Sequence, residues 1–361
     1  MKQLNLLLFL AVVISLASCN KDEDVSYEVP QFYDFENVSY TGQQERLAML
    51  LEMKNYMKTS QTKGVSLNAD RLKAMYANET GANFSQNYNK QLENKTFESV
   101  QKDFRSLMDE LAEASKSVLD GSDGVSGVIE SKDGIKAYLV GEDGLDHAQV
   151  IEKGLMGACF YYQATSVYMG DDRMNVDNDV VEPGRGTAME HHWDEAFGYF
   201  GVPLDFPSNL SGLFFWGDYS NKRNDLLNSN EQLMDALIKG RAAITNNDLE
   251  TRDEAITEAR ENWELVAVGS ALHYINAGIE KFDDMAIRSH ALSEAIGFVY
   301  SLQFNLNKKM SNTEIQNVLS LIAGSADFET MNLYDTSIEN LDLAKDALAS
   351  AYGLESIKDE F

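Results

Sequence analysis

"AMEHHWDEAFGYFG" (residues 188–201) and "SHALSEAIGFVY" (289–300) share one skeleton: His, three residues, Glu-Ala, an apolar residue, Gly, an aromatic. Thr187 and Glu190 precede the first copy's apolar run as Thr-x-x-Glu, a capping box that predicts a helix starting there. Gly201 and Pro203 should stop it. At 100° per residue, Met189, Trp193, Ala196, Phe197 and Phe200 form one stripe, and His191, Glu195 and Gly198 fall opposite. The second copy aligns His290, Glu294, Gly297 and Ser301 within a helix that is apolar nearly all round, which predicts burial. Two such helices about a hundred residues apart predict a duplicated bundle, with the copies as equivalent inner helices related by a pseudo-twofold axis.

Proline maps the rest. Pro30 is followed by none until Pro183, Pro203 and Pro207, and none comes after. Proline breaks helices, so its absence permits long ones on both sides of a special segment at 183–207. Apolar spacing predicts helices carrying Leu47, Leu50, Leu51 and Met57, then Phe97 to Leu111, and further ones near 68–77, 146–169, 187–200, 229–245, 251–281, 285–308, 312–323 and 337–352. The fold class expected is all-α. Two departures are an extended aromatic segment at 27–40 and a hairpin at 127–140 turning on Asp133-Gly134. The chain divides into residues 31–182, an N-terminal helical half with the hairpin, and 183–361, a C-terminal helical half.

The first residues predict a destination. Lys2, an apolar run and small residues end at Leu16-Ala17-Ser18-Cys19, which resembles a bacterial lipobox. Residues 1–18 then form a lipoprotein signal peptide, Cys19 carries the lipid, and 19–30 is an acidic tether. Asn20–Asp24 looks like the export signal that sends lipoproteins to the outer face of the outer membrane. Membrane attachment is through the lipid anchor only. The formal charge is −28, with 58 acidic against 30 basic residues, which disfavours nucleic acid and direct binding to anionic lipid surfaces. With Cys19 lipidated, Cys159 has no disulfide partner and reads as a core residue.

The chemistry-bearing candidates are few. An ionised buried glutamate must be paired or coordinate a cation. Glu195 and Glu294, with His191, His192 and His290, meet that demand in one of two ways: a carboxylate–imidazole set for iron or another divalent metal, or hydrogen-bond networks that lock helices together. Chance resemblance between the copies is the third reading. "LFFWGDYSNKR" (213–223) reads as an aromatic–basic loop after the proline segment. It offers Trp216, Tyr219, Lys222 and Arg223 to a sugar or anionic ligand, or its aromatics as a plug for the bundle end. His-Glu-x-x-His and Ser-His-Asp signatures are absent, so an enzyme is the less favoured class.

His192-Trp193-Asp194-Glu195 is a His-x-x-Glu, and here the chain resembles the imelysin-like family of helical cell-envelope proteins with a Gly-x-His-x-x-Glu motif. Its Gly, His and Glu fall on Glu190, His192 and Glu195, so the glycine is replaced. The chain also resembles a lipoprotein family sharing "FENVSYTGQ" (35–43), "GLMGA" (154–158) and "HHWDEAFGYFG" (191–201). These resemblances imply an outer-membrane, surface-facing lipoprotein that binds iron or an iron-bearing ligand. The implied partner is a TonB-dependent receptor or a neighbouring imelysin-like lipoprotein. Glycan or nutrient capture and, further off, metallopeptidase activity are the alternatives.

Overall fold

The computed structural model describes residues 27–361. The expected signal peptide, Cys19 and most of the tether lie outside that range. The described chain is mostly helical, with twelve α-helices and one two-stranded sheet. In order these are α1 (Thr41–Lys58), α2 (Ala69–Ala77), α3 (Gln101–Ala114), β1 (Gly127–Glu130), β2 (Ala137–Val140), α4 (His147–Leu155), α5 (Asp171–Met174), α6 (Ala188–Phe200), α7 (Trp216–Leu227), α8 (Ser229–Thr245), α9 (Leu249–Glu280), α10 (Met285–Ser301), α11 (Asn312–Ala323) and α12 (Ile338–Tyr352). No described helix is long and apolar enough to cross a membrane.

The local signals act where the sequence places them. Thr187 accepts from the Glu190 amide while the Glu190 carboxylate accepts from the Thr187 amide, and Gly201 closes α6 at φ 79°. The hairpin pairs Gly127 with Val140 and Glu130 with Ala137, antiparallel, and turns through Gly134 at φ 70°. One expectation fails: residues 216–227 are helix α7, not a loop. Its buried positions are Trp216, Gly217, Tyr219, Ser220 and Arg223, of which all but Gly217 fall on the i, i+3, i+4, i+7 stripe of a helix. That stripe holds a hydroxyl and a guanidinium, so it does not read as apolar.

Helix α4 runs on without a break into a π-wound stretch, Met156–Tyr168. This long element is the frame for both motif helices. Helix α10 lies across α4 and α9, whereas α6 packs along the π-wound stretch and α1. Residues on both sides of position 182 therefore share one core, continuous from Tyr33 to Phe361. Trp193, Trp216 and Trp263 are fully buried within it.

Glycine sets the depth of these crossings. A Cβ on Gly297 would collide with the Lys153 side chain and lie 3.3 Å from the Gly154 amide nitrogen; one on Gly157 would collide with Ser301. The glycine of the first copy behaves alike: a Cβ on Gly198 would come within 2.7 Å of Tyr40 Cβ. Gly297→Ala should therefore lower stability by about 1–3 kcal/mol through overpacking, despite the ~1 kcal/mol that alanine returns in helix propensity. A denaturant midpoint unchanged from wild type would show that α10 can shift away from α4 without loss.

Candidate functional site

Towards the C-terminal end of α4, Glu152 and Lys153 are a fully buried charged pair, both side chains 2% exposed. Lys153 Nζ lies 2.8 Å from Glu152 Oε1 and 3.6 Å from Glu294 Oε2 on α10. From α1, Lys54 Nζ reaches the same Glu152 oxygen at 2.6 Å. Burial opposes the charge on Lys153, but the two carboxylates overcome it and hold its pKa above the ordinary value. Glu294 accepts from Tyr219 at 3.0 Å and pairs with His290 Nε2 at 3.2 Å. The ring's other nitrogen, Nδ1, sits 2.8 Å from Asp146. Tyr138 of β2 stacks on the His290 ring, centroids 3.9 Å apart.

These groups form the floor of an open cleft of about 540 Å³, roofed by the hairpin and walled by α1 and α7. Tyr138, Tyr219 and Tyr274 line it with His290, Glu294 and several lysines. The second motif copy thus faces neither bulk water nor a dry core.

The first copy occupies different ground. Glu195 on α6 accepts from Gln43 Nε2 and Tyr168 OH, both at 3.0 Å, and pairs with His192 Nδ1 at 3.2 Å. His191 Nε2 is 3.9 Å from the same carboxylate, and its Nδ1 is buried without a hydrogen-bond partner. Burial raises the Glu195 pKa, but His192, Gln43 and the other donors outweigh it and bring it down to about 2. The two glutamates share no partner. Lys153 and Tyr168, which touch Glu294 and Glu195 respectively, are fifteen residues apart on one continuous helix, roughly 20 Å along its axis at ~1.5 Å per residue. The expected joining of Glu195 and Glu294 in one cluster does not occur in this geometry.

The family of the chain follows from its length of match. Residues 30–355 match the model of the family described as "Domain of unknown function (DUF4856)". The chain belongs to that family. No curated protein and no solved structure matches the chain. Family membership covers both motif copies, the hairpin and the cleft.

The donor chemistry separates the two copies as metal sites. A metal-ligating histidine must be neutral with an open nitrogen, yet both nitrogens of His290 are engaged by carboxylates. Burial lowers the His290 pKa, but the hydrogen bonds to Asp146 and Glu294 carry it up to about 9. With the Lys153 ammonium beside it, Glu294 is already charge-paired. In this arrangement the Lys153 ammonium stands where a cation on Glu294 would need to sit. At the other copy two imidazoles converge on Glu195 with no ammonium in direct contact, yet among the described residues no group of three or more His, Cys, Asp or Glu side chains is arranged to hold a metal ion.

The loop residues named from sequence are dispersed along α7. Trp216 is core, its Nε1 donating to the Met156 carbonyl at 2.8 Å. Tyr219 faces the cleft. Arg223 is buried with its Nε lacking a hydrogen-bond partner. Sequence reasoning missed Lys54, Tyr138, Asp146, Glu152, Lys153 and Tyr274. Glu152-Lys153 had a usable signal, because two charges inside a helix apolar on all sides must find partners in the interior. Asp146 was visible only as a cap, the role it also fills toward the Gln149 amide.

Two outcomes follow from the buried charges. Lys153→Met strands Glu152 and Glu294 and should cost about 3–5 kcal/mol at neutral pH. Urea unfolding measures it, and a loss below about 1 kcal/mol would show that water reaches the pair. The His290 pKa rises on folding from 6.5 to about 9, so its stabilisation is complete below pH 6.5 and is lost as pH climbs towards 9. The stability gap between wild type and His290→Gln should be about 3 kcal/mol larger at pH 6 than above pH 9, where the charge-linked part nearly vanishes. A gap that is flat with pH would show a neutral ring.

Proposed function

We propose that this protein is a lipid-anchored, surface-facing lipoprotein of the outer membrane that captures an iron-bearing ligand and passes it to a TonB-dependent receptor. The observation that carries the reading is the hairpin-roofed cleft, large enough for a small molecule and lined by Tyr138, Tyr219, Tyr274 and His290. Its aromatic and polar walls suit a whole iron chelate, whereas the paired state of Glu294 and His290 speaks against a naked ion at that place. The lipobox-like Leu16–Cys19 and the acidic residues after it support the anchored, outward-facing location. The resemblance to imelysin-like proteins supports the iron assignment and the reading of α6 and α10 as copies in a duplicated bundle, with 31–182 and 183–361 as its halves.

A second reading, capture of a glycan, is favoured by the same three tyrosines, since aromatic faces also hold sugar rings. The two separate by experiment. Protein purified without a metal-affinity tag is mixed with a ferric chelate, with ferric or zinc salt alone, and with neutral oligosaccharides. Each mixture is desalted, and retained metal is measured by elemental analysis and saccharide by calorimetry. Iron should be retained from the chelate, and Tyr138→Ala should weaken retention about tenfold, some 1.4 kcal/mol. Retention of the bare ion, lost in Glu195→Gln, would move the function to the α6 triad of His191, His192 and Glu195. Retention of saccharide alone would establish the glycan reading.

A further inference from the structure

The cleft under the hairpin inverts the charge of the molecule that carries it. Across the whole chain acids outnumber bases 58 to 30, yet the lining of this cleft holds five lysines, Lys54, Lys58, Lys136, Lys153 and Lys222, against two glutamates, Glu152 and Glu294. The lysines do not belong to one charged helical face. Lys54 and Lys58 are one turn apart on α1, Lys136 precedes β2, Lys153 is on α4 and Lys222 on α7. Four separate elements aim ammonium groups at one space.

The internal pairing leaves an excess. Glu152 is used by Lys54 and Lys153, and Glu294 by Lys153, His290 and Tyr219. Asp218 holds Lys222 at 2.7 Å. Lys58 and Lys136, at the cleft mouth, are exposed and form no salt bridge among the described residues, with only Asp133 of the hairpin turn near enough to feel the charge of Lys136. Setting His290 aside with its partner Asp146, five ammonium groups face three carboxylates. The excess lies in a concave space with low-dielectric walls, where a local field is focused rather than screened. Lys222 Nζ also stands 4.8 Å over the Tyr219 ring and Lys153 Nζ 5.4 Å from it, so aromatic and cationic surface are interleaved along one wall.

We infer that the cleft recognises a small molecule bearing at least two oxyanion groups, carboxylate or phosphate, held at the mouth between Lys58 of α1 and Lys136 of the hairpin with its body against the tyrosines. The inference rests on the cleft being the capture site and specifies the ligand it takes. An iron chelate of this class carries its metal inside an anionic shell, and the cleft reads the shell. A chelate of net positive charge, or an uncharged sugar, gains nothing from these lysines.

Citrate and inorganic phosphate are the probes, with a neutral disaccharide as control, titrated calorimetrically into the full chain. Citrate should bind more tightly than phosphate, and its affinity should fall as salt rises from about 0.1 M to about 1 M. The double variant Lys58→Ala/Lys136→Ala should weaken citrate about tenfold or more, and Lys58→Arg/Lys136→Arg should restore most of it. Both lysines are exposed, so an unchanged melting midpoint will show that the variants fold. Absence of citrate and phosphate binding, or binding equal in wild type and the double alanine variant, overturns the inference. If the disaccharide binds and depends on Tyr138 while neither anion binds, the anion assignment fails and the capture site stands. If citrate binds through the two lysines but no ferric chelate is retained, the anion site stands and the iron reading falls.

Discussion

Lys153, with 2% of its side chain exposed, is the constraint on which the cleft depends. An ammonium removed from water costs several kcal/mol unless it is matched by charge and hydrogen bonds. Matching it fixes four elements at once. Glu152 must sit one residue away on α4, Glu294 must arrive from α10, Lys54 must come over from α1 to share Glu152, and Tyr219 of α7 must donate to Glu294. The close crossing at Gly297 makes this possible, because any Cβ there would hold α10 away from Lys153. The buried charge and the small residue are two halves of one device.

The repeated motif is best understood at that level. In both copies the glycine permits a close approach, by Tyr40 to Gly198 and by Lys153 to Gly297, and the glutamate three residues earlier meets donors brought in by the approaching element. What differs is the incoming chemistry. α6 receives an amide and a phenol, from Gln43 and Tyr168, and leaves its histidines uncommitted to a second carboxylate. α10 receives an ammonium and, through Asp146, a second carboxylate on the far side of His290. One skeleton therefore yields two electrostatic outcomes: on α10 a glutamate matched by an ammonium, on α6 a glutamate held by an imidazole and neutral donors.

The sequence exposed what periodicity and local hydrogen bonding dictate: most helices, the capping box at Thr187, the glycine stop at Gly201 and the hairpin at Gly134. Helix α7 escaped because its buried stripe carries Ser220 and Arg223, so the apolar count across 216–227 falls below that of a core-facing helix. The π-wound stretch from Met156 to Tyr168 reads from sequence as ordinary helix, since its residues are nearly all apolar and any winding buries them. The partners of His290 and Glu294 were illegible for a different reason. Asp146 reaches His290 across 144 residues of sequence and Tyr219 reaches Glu294 across 75, and Lys54 acts only through Glu152, 98 residues away.

The acidity of the whole chain acquires a different meaning beside this cleft. A uniformly negative surface repels anions, so an exposed lysine on it attracts them only weakly and is screened within about 10 Å at 0.1 M salt. Gathering cations in a concavity changes that balance, because several ammonium groups act together on one ligand and the protein's own carboxylates are held in fixed pairs. Glu152 and Glu294 do not neutralise the cleft so much as anchor Lys54 and Lys153 in place, leaving Lys58 and Lys136 to meet whatever enters. The net negative charge then adds selectivity: an anion held loosely elsewhere on the surface is disfavoured, whereas the cleft under the hairpin gathers five lysines. Charge of one sign on the outside and of the other within the cleft is what a binding site for a small anion requires of an acidic protein.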